Sequence, residues 1–75
     1  MNRYRVTGAY VELMNRLARH GYGQGYFPSA GEECLETDRE TLFGREFGVF
    51  RTVPGRRQFR IPVSCYGDFL EPLQS

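Results

Sequence analysis

Residues 45–63 read REFGVFRTVPGRRQFRIPV, two runs of alternating apolar and polar side chains on either side of a proline–glycine pair. Alternation at period two marks a half-buried strand, and a turn pair between two such runs predicts a β-hairpin. Phe47, Val49, Arg51 and Val53 share one face of the first run, and Phe59, Ile61 and Val63 are the apolar set of the second. Bringing both sets to one side places Val53 across from Arg57, Val49 across from Ile61 and Phe47 across from Val63. The loop is then the three residues Pro54–Arg56, where glycine is usual. A one-residue slip would send the two sets to opposite faces. The same register sets Arg60 on the face of Phe50 and Arg51 among the valines. Pro62 lacks an N–H, so its strand is expected to be an edge or to carry a bulge.

Upstream, residues 8–20 read as an amphipathic helix. Tyr10, Leu13, Met14, Leu17 and Ala18 recur at helical spacing, which gives one apolar stripe. Thr7 stands at the N-cap position, Glu12 and Arg16 are four apart on the opposite face, and Gly21 fits the position just past the end. Residues 3–7 predict a short strand before it. Residues 21–28, GYGQGYFP, form a loop or a kinked strand. Between 29 and 43, Ser29 with Glu32 and Thr37 with Glu40 both fit a capping box. They predict one or two short helical turns, with Cys34, Leu35, Leu42 and Phe43 inward and Gly44 as the stop; a strand through Cys34–Thr37 is the alternative. Asp68 is placed to cap a short helical turn before Pro72. The expected fold is α+β, a single domain over 1–75, with one amphipathic helix packed on a small antiparallel sheet that includes the C-terminal hairpin.

Composition limits what such a domain can do. At 75 residues, with 40% apolar side chains including five Tyr and six Phe, the chain supports one aromatic-rich core. It leaves little volume for an enclosed substrate cavity, so it is expected to act by presenting a surface. No apolar run reaches the length of a membrane span, and MNRYRVTGAY lacks the apolar stretch of a signal peptide. A cytoplasmic location with Cys34 and Cys65 as reduced thiols is the expectation.

Catalytic inventory is thin. The single histidine, His20, stands at the expected helix end, where a cation suits the dipole. A Cys–His pair would require Cys34 or Cys65 to meet His20 with an orienting group such as Asp68, and nothing in the spacing predicts it. Three Cys and His residues without a paired-cysteine spacing do not form a structural zinc site. The glycine run at 21–25 has neither the lysine of a phosphate-binding loop nor the preceding strand of a dinucleotide fold. No enzymatic activity, cofactor or metal is therefore expected. GREFGVFR at 44–51 is superficially similar to the aromatic strand of RNA-recognition domains, but its aromatic spacing differs. The order of elements also resembles a double-stranded-RNA-binding domain, whose lysine-rich helix start is replaced here by YGDFLEP.

The charge pattern is the most specific signal. All ten basic residues are arginine. Residues 32–40 carry five acids against Arg39, net −4, while 45–60 carry five arginines against Glu46, net +4. Arginine's planar fork suits carboxylates and phosphates, and arginine near aromatic rings is the composition of a binding surface. One outcome is internal: Arg45 and Arg51 pair with the 32–40 acids. The other is a partner-binding set of Arg45, Arg51, Arg56, Arg57, Arg60, Phe50, Tyr22 and Tyr26. On that reading the chain is a non-enzymatic, stoichiometric inhibitor or adaptor of a larger protein or nucleoprotein complex. In size and in lacking catalytic groups it resembles small phage-encoded inhibitors of bacterial systems, including anti-CRISPR proteins. The alternative is an accessory protein that binds RNA or single-stranded DNA. Homodimerisation through an edge strand fits either.

Overall fold

The structure, a computed structural model, describes residues 2–21 and 26–73. In chain order the elements are β1 (Arg3–Val6), α1 (Gly8–Arg19), β2 (Glu33–Leu42), β3 (Arg45–Val53), β4 (Gln58–Pro62), α2 (Tyr66–Phe69) and β5 (Leu70–Leu73). A 3-10 turn at Val63–Cys65 leads into α2. The strands form one sheet in the order β4-β3-β2-β1-β5. Every neighbouring pair is antiparallel. The α+β expectation holds, with a sheet that extends well beyond the hairpin.

The helix begins and ends where its sequence signals lie. Thr7 has extended backbone geometry, but its hydroxyl donates to the Asp68 carbonyl at 2.8 Å instead of to the first turn of the helix. That bond ties the start of α1 to α2. Asp68 therefore does not cap α2; Cys65 precedes the helix and Asp68 lies within it. At the other end Gly21 takes a positive φ of 80° and its N–H returns to the Ala18 carbonyl, the conformation in which glycine costs least. Tyr10 is buried, and Val11 and Met14 pack beside it on the core.

The two capping signatures at 29–43 do not become helices. Glu32 reaches back to the Ser29 N–H at 2.6 Å and its own N–H bonds the Ser29 carbonyl, so half of a capping box closes a turn. Gly31 at φ 88° then redirects the chain into β2. A ten-residue strand replaces the expected turns because both flanks, β1 and β3, supply ladder partners. Thr37 occupies a bulge between Glu36 and Asp38 and donates to the Val49 carbonyl. Leu42 and Phe43, expected inside, are exposed. Leu42 pairs with Arg45 around Phe43 and Gly44, which both have positive φ. This is a two-residue turn of the kind that matches strand twist.

The β3–β4 register also differs from the pattern-based one, by a single residue. Phe50 pairs with Phe59, Gly48 with Ile61 and Val49 with Arg60. The core therefore takes Phe50, Phe59 and Ile61, and the odd-numbered set Phe47, Val49, Arg51 and Val53 turns to the other face. The cause is spatial. Phe50, fully buried, stacks on Phe59 at 5.5 Å and meets Tyr4 and Tyr66 edge-on. Gly48 leaves the room that the Tyr66 ring fills: a Cβ there would lie 2.8 Å from Tyr66 Cζ and from Phe50 Cε1. Helices α1 and α2 and the segment Tyr26–Pro28 cover this face of the sheet. Among the described residues no element covers the other.

Replacing Gly48 by alanine is expected to destabilise the fold by about 1–3 kcal/mol, the usual cost of overpacking a filled core. Chemical denaturation of G48A checks this; a midpoint equal to wild type would mean that Tyr66 does not seat over Gly48.

Candidate functional site

The β3–β4 connection is built around Thr52. Its N–H and carbonyl bond the Arg57 carbonyl and the Arg56 N–H, both at 2.9 Å, and its Oγ1 accepts from the Arg57 N–H at 3.0 Å. The loop is thus the four residues Val53–Arg56, one longer than expected, with a cis Val53–Pro54 bond and Arg56 at φ 58°. This geometry separates the two adjacent arginines. Arg57 folds back with its guanidinium 4.3 Å from the centre of the Tyr26 ring. Arg56 turns to the uncovered face, where it lines a groove of about 440 Å³.

Leu35, Val53 and Pro54 form the apolar floor of that groove, and Thr37, Arg51 and Arg56 stand around it. The β2–β3 register creates it by setting Leu35 directly across from Arg51. Neither Arg51 nor Arg56 has a carboxylate within 4.0 Å among the described residues. The 32–40 acids pair elsewhere: Glu33 with Arg3 and Arg5 at 3.5 and 3.8 Å, Glu36 with Arg39 at 2.8 Å, and Glu40 with Arg60. The expected internal pairing of Arg45 and Arg51 with these acids does not form.

The sequence-derived set divides accordingly. Arg51 and Arg56 meet on the open face; Arg57 and Tyr26 pack together around the corner of the loop. Phe50 drops out because it is the centre of the core, with none of its surface exposed. Arg60 lies opposite Val49 on the face away from Phe50, engaged with Glu40. Arg45 begins β3 at the far end from the groove. Tyr22 lies outside the described residues. Leu35, Val53, Pro54 and Thr37 were missing from the sequence-derived set. Leu35 was hidden inside an acidic run, and its signal, the one apolar residue set among the charges of 35–40, becomes readable only once β2 is known to be a strand.

Compared with known proteins, the chain matches no family model, no curated protein and no solved structure. The site's meaning therefore rests on its chemistry.

A second polar cluster lies on the covered side. Glu36, its side chain 10% exposed, accepts from the Tyr66 hydroxyl and from Arg39 Nε, while Arg39 also lies over the Tyr66 ring. Burial pushes the Glu36 carboxyl up, but the Tyr66 hydroxyl and Arg39 outweigh it and hold it below the usual carboxylate range. Burial, and then the bond to Glu36, raise the Tyr66 hydroxyl against the opposing charge of Arg39. Glu36 thus joins the Tyr66 hydroxyl to Arg39 Nε through one carboxylate, which is the arrangement of a structural anchor. Among the described residues no group of three Cys, His, Asp or Glu side chains is placed to hold a metal ion. His20 is exposed at the end of α1. Cys34 and Cys65 are free thiols; burial, and then the Glu32 carboxylate, pushes Cys34 up to about 12.

Two measurements follow. A carboxyl held low in the folded state adds stability above its unfolded pKa and loses it as pH falls through the folded value. Wild-type stability should therefore decline between about pH 5 and 3 more steeply than that of Glu36→Gln, as read by denaturation across that range; parallel curves would remove Glu36 from the account. In thiol titration with a chromogenic disulfide, Cys65 should react in the native protein and Cys34 only after denaturation. Two equivalents reacting at once in buffer would contradict the burial of Cys34.

Proposed function

We propose that this protein binds another protein stoichiometrically, as an inhibitor or adaptor, through the Arg51–Arg56 end of its uncovered sheet face. One observation carries the reading: two guanidiniums with no carboxylate within 4.0 Å among the described residues flank an apolar groove. Arginine beside aliphatic surface is a frequent element of interface hot spots, and an open groove flanked by two exposed arginines suits an apolar side chain next to Asp or Glu. Arg57, braced on Tyr26, extends the positive charge around the loop. The role is the one that small phage-encoded inhibitors such as anti-CRISPR proteins fill in a bacterial cytoplasm.

The aromatic rings argue against single-stranded nucleic acid as the partner. Base-stacking platforms present exposed rings beside positive charge. Here Tyr4, Tyr10, Phe50, Phe59, Tyr66 and Phe69 pack against one another on the covered face, and the exposed ring of Phe43 lies at the end of β3 away from Arg51 and Arg56.

The test is affinity capture from a bacterial lysate with tagged protein, with and without nuclease. A discrete protein should be retained after nuclease and lost with Arg51→Ala/Arg56→Ala, while Arg60→Ala retains it. Melting of these surface variants is expected to stay within about 0.5 kcal/mol of wild type. Capture that disappears with nuclease, with a log–log salt slope near −0.9 per phosphate contacted on duplex DNA, would replace this reading with nucleic-acid binding.

A further inference from the structure

The groove beside Arg51 and Arg56 has the size and the chemistry of a small-molecule site. Its volume of about 440 Å³ falls within the range of about 300–1,000 Å³ typical of ligand pockets. Leu35, Val53 and Pro54 give it an aliphatic floor, none of the residues that line it is acidic, and its only charges are the two guanidiniums. A smaller hollow on α1, about 210 Å³, shows the contrast. Glu12, Asn15, Arg16 and Arg19 line it, so a carboxylate already stands beside its cations and it lacks an apolar floor. The frame of the larger groove is set by backbone bonds. The β2–β3 ladder holds Leu35 opposite Arg51, the Arg56 N–H bonds the Thr52 carbonyl at 2.9 Å, and Thr37 is tied to the Val49 carbonyl at 3.2 Å. Only the two exposed arginine side chains are left to close on a ligand, and a frame ordered in advance loses less of the binding interaction to ordering.

We propose that this groove binds an organic phosphate monoester, a phosphate carried on a small aromatic or aliphatic body. Charge selects the head group. Arg51 and Arg56 bring two positive charges with no carboxylate within 4.0 Å among the described residues. A phosphate monoester carries about −1.5 to −2 at neutral pH, whereas a carboxylate offsets only one of the two. Arginine's planar fork also matches phosphate oxygens in pairs. The floor selects the body, because inorganic phosphate leaves Leu35, Val53 and Pro54 uncovered while an apolar group beside the phosphate removes them from water. The inference stands on the groove alone and does not depend on a protein partner. A groove filled in this way is closed to a partner's side chain, so ligand and partner compete.

Phenyl phosphate, benzoate and inorganic phosphate, each titrated into isotopically labelled protein and followed by amide NMR shifts, separate head group from body. Phenyl phosphate should give saturable shifts centred on Leu35, Thr37 and the Arg51–Arg56 segment. It should bind about tenfold or more tightly than inorganic phosphate, which lacks the ring, and than benzoate, which carries less charge. Arg51→Gln and Arg56→Gln should each lower its affinity by about tenfold or more, the scale of a charge-assisted hydrogen bond. Val53→Thr keeps the β-branched shape but makes the floor more polar; it should narrow the preference for phenyl phosphate over inorganic phosphate. Arg60→Gln, altered on the same face at a side chain engaged with Glu40, should bind as wild type. The dispersion of each variant's spectrum reports that it is folded. Absence of saturable shifts at millimolar phenyl phosphate, equal affinity for inorganic phosphate, or an Arg51→Gln/Arg56→Gln protein that binds like wild type would each overturn the proposal. The titration contains no partner, so its failure leaves the capture experiment standing, and a failed capture leaves the titration standing in turn.

Discussion

Four rings and the absence of a side chain at Gly48 govern this structure. Phe50 lies against Tyr4, Phe59 and Tyr66, and the Tyr66 ring fits only because residue 48 has no Cβ. Aromatic pairs add about 0.5–1.5 kcal/mol each beyond the area they bury, which in a domain of this size is enough to choose between adjacent registers. Once Phe50 faces inward, alternation sends Phe47, Val49, Arg51 and Val53 outward. The groove on the open face is therefore a by-product of how the core is filled.

The arginines divide by what they are given to do. Arg3, Arg5, Arg39 and Arg60 are held by acids on neighbouring strands, so that much of the formal charge of residues 32–40 is neutralised locally. Such exposed pairs stabilise little; their effect is on the electrostatic field. Arg51, Arg56 and Arg57, close together at one end of the sheet, have no carboxylate within 4.0 Å among the described residues, a condition that Arg16, Arg19 and Arg45 share elsewhere in the molecule. A chain of net charge +1 thereby presents a local surface far more basic than its total suggests.

Helix α1 and the existence of the hairpin were legible from sequence because each rests on a strong local period with its own stop signals. What was not legible depended on tertiary context. The one-residue register difference could not be read because both parities of β3 contain apolar residues, and the decisive partner of Gly48, Tyr66, lies 18 positions away in sequence. β2 was disguised by capping residues that in the fold close a turn at 29–32. The basic segment was read as the candidate surface, and the fold brings Arg51 and Arg56 together on the open face and Phe50 into the core; an aromatic beside arginines looks the same in sequence whether it faces solvent or core. Leu35 became part of the site only through its cross-strand neighbour.

Both outermost strands are short and each contains a proline, Pro62 in β4 and Pro72 in β5. A proline on an outer strand removes one of the backbone donors with which a foreign strand would hydrogen-bond. Strand addition, a form of recognition that reads the backbone and is tolerant of sequence, is thus discouraged at both borders of the sheet. On the reading proposed above, recognition is then left to side chains on the open face, which would select a partner by residue identity instead of by its capacity to adopt an extended conformation. Such a surface can change allegiance through one or two substitutions while the scaffold beneath it stays the same.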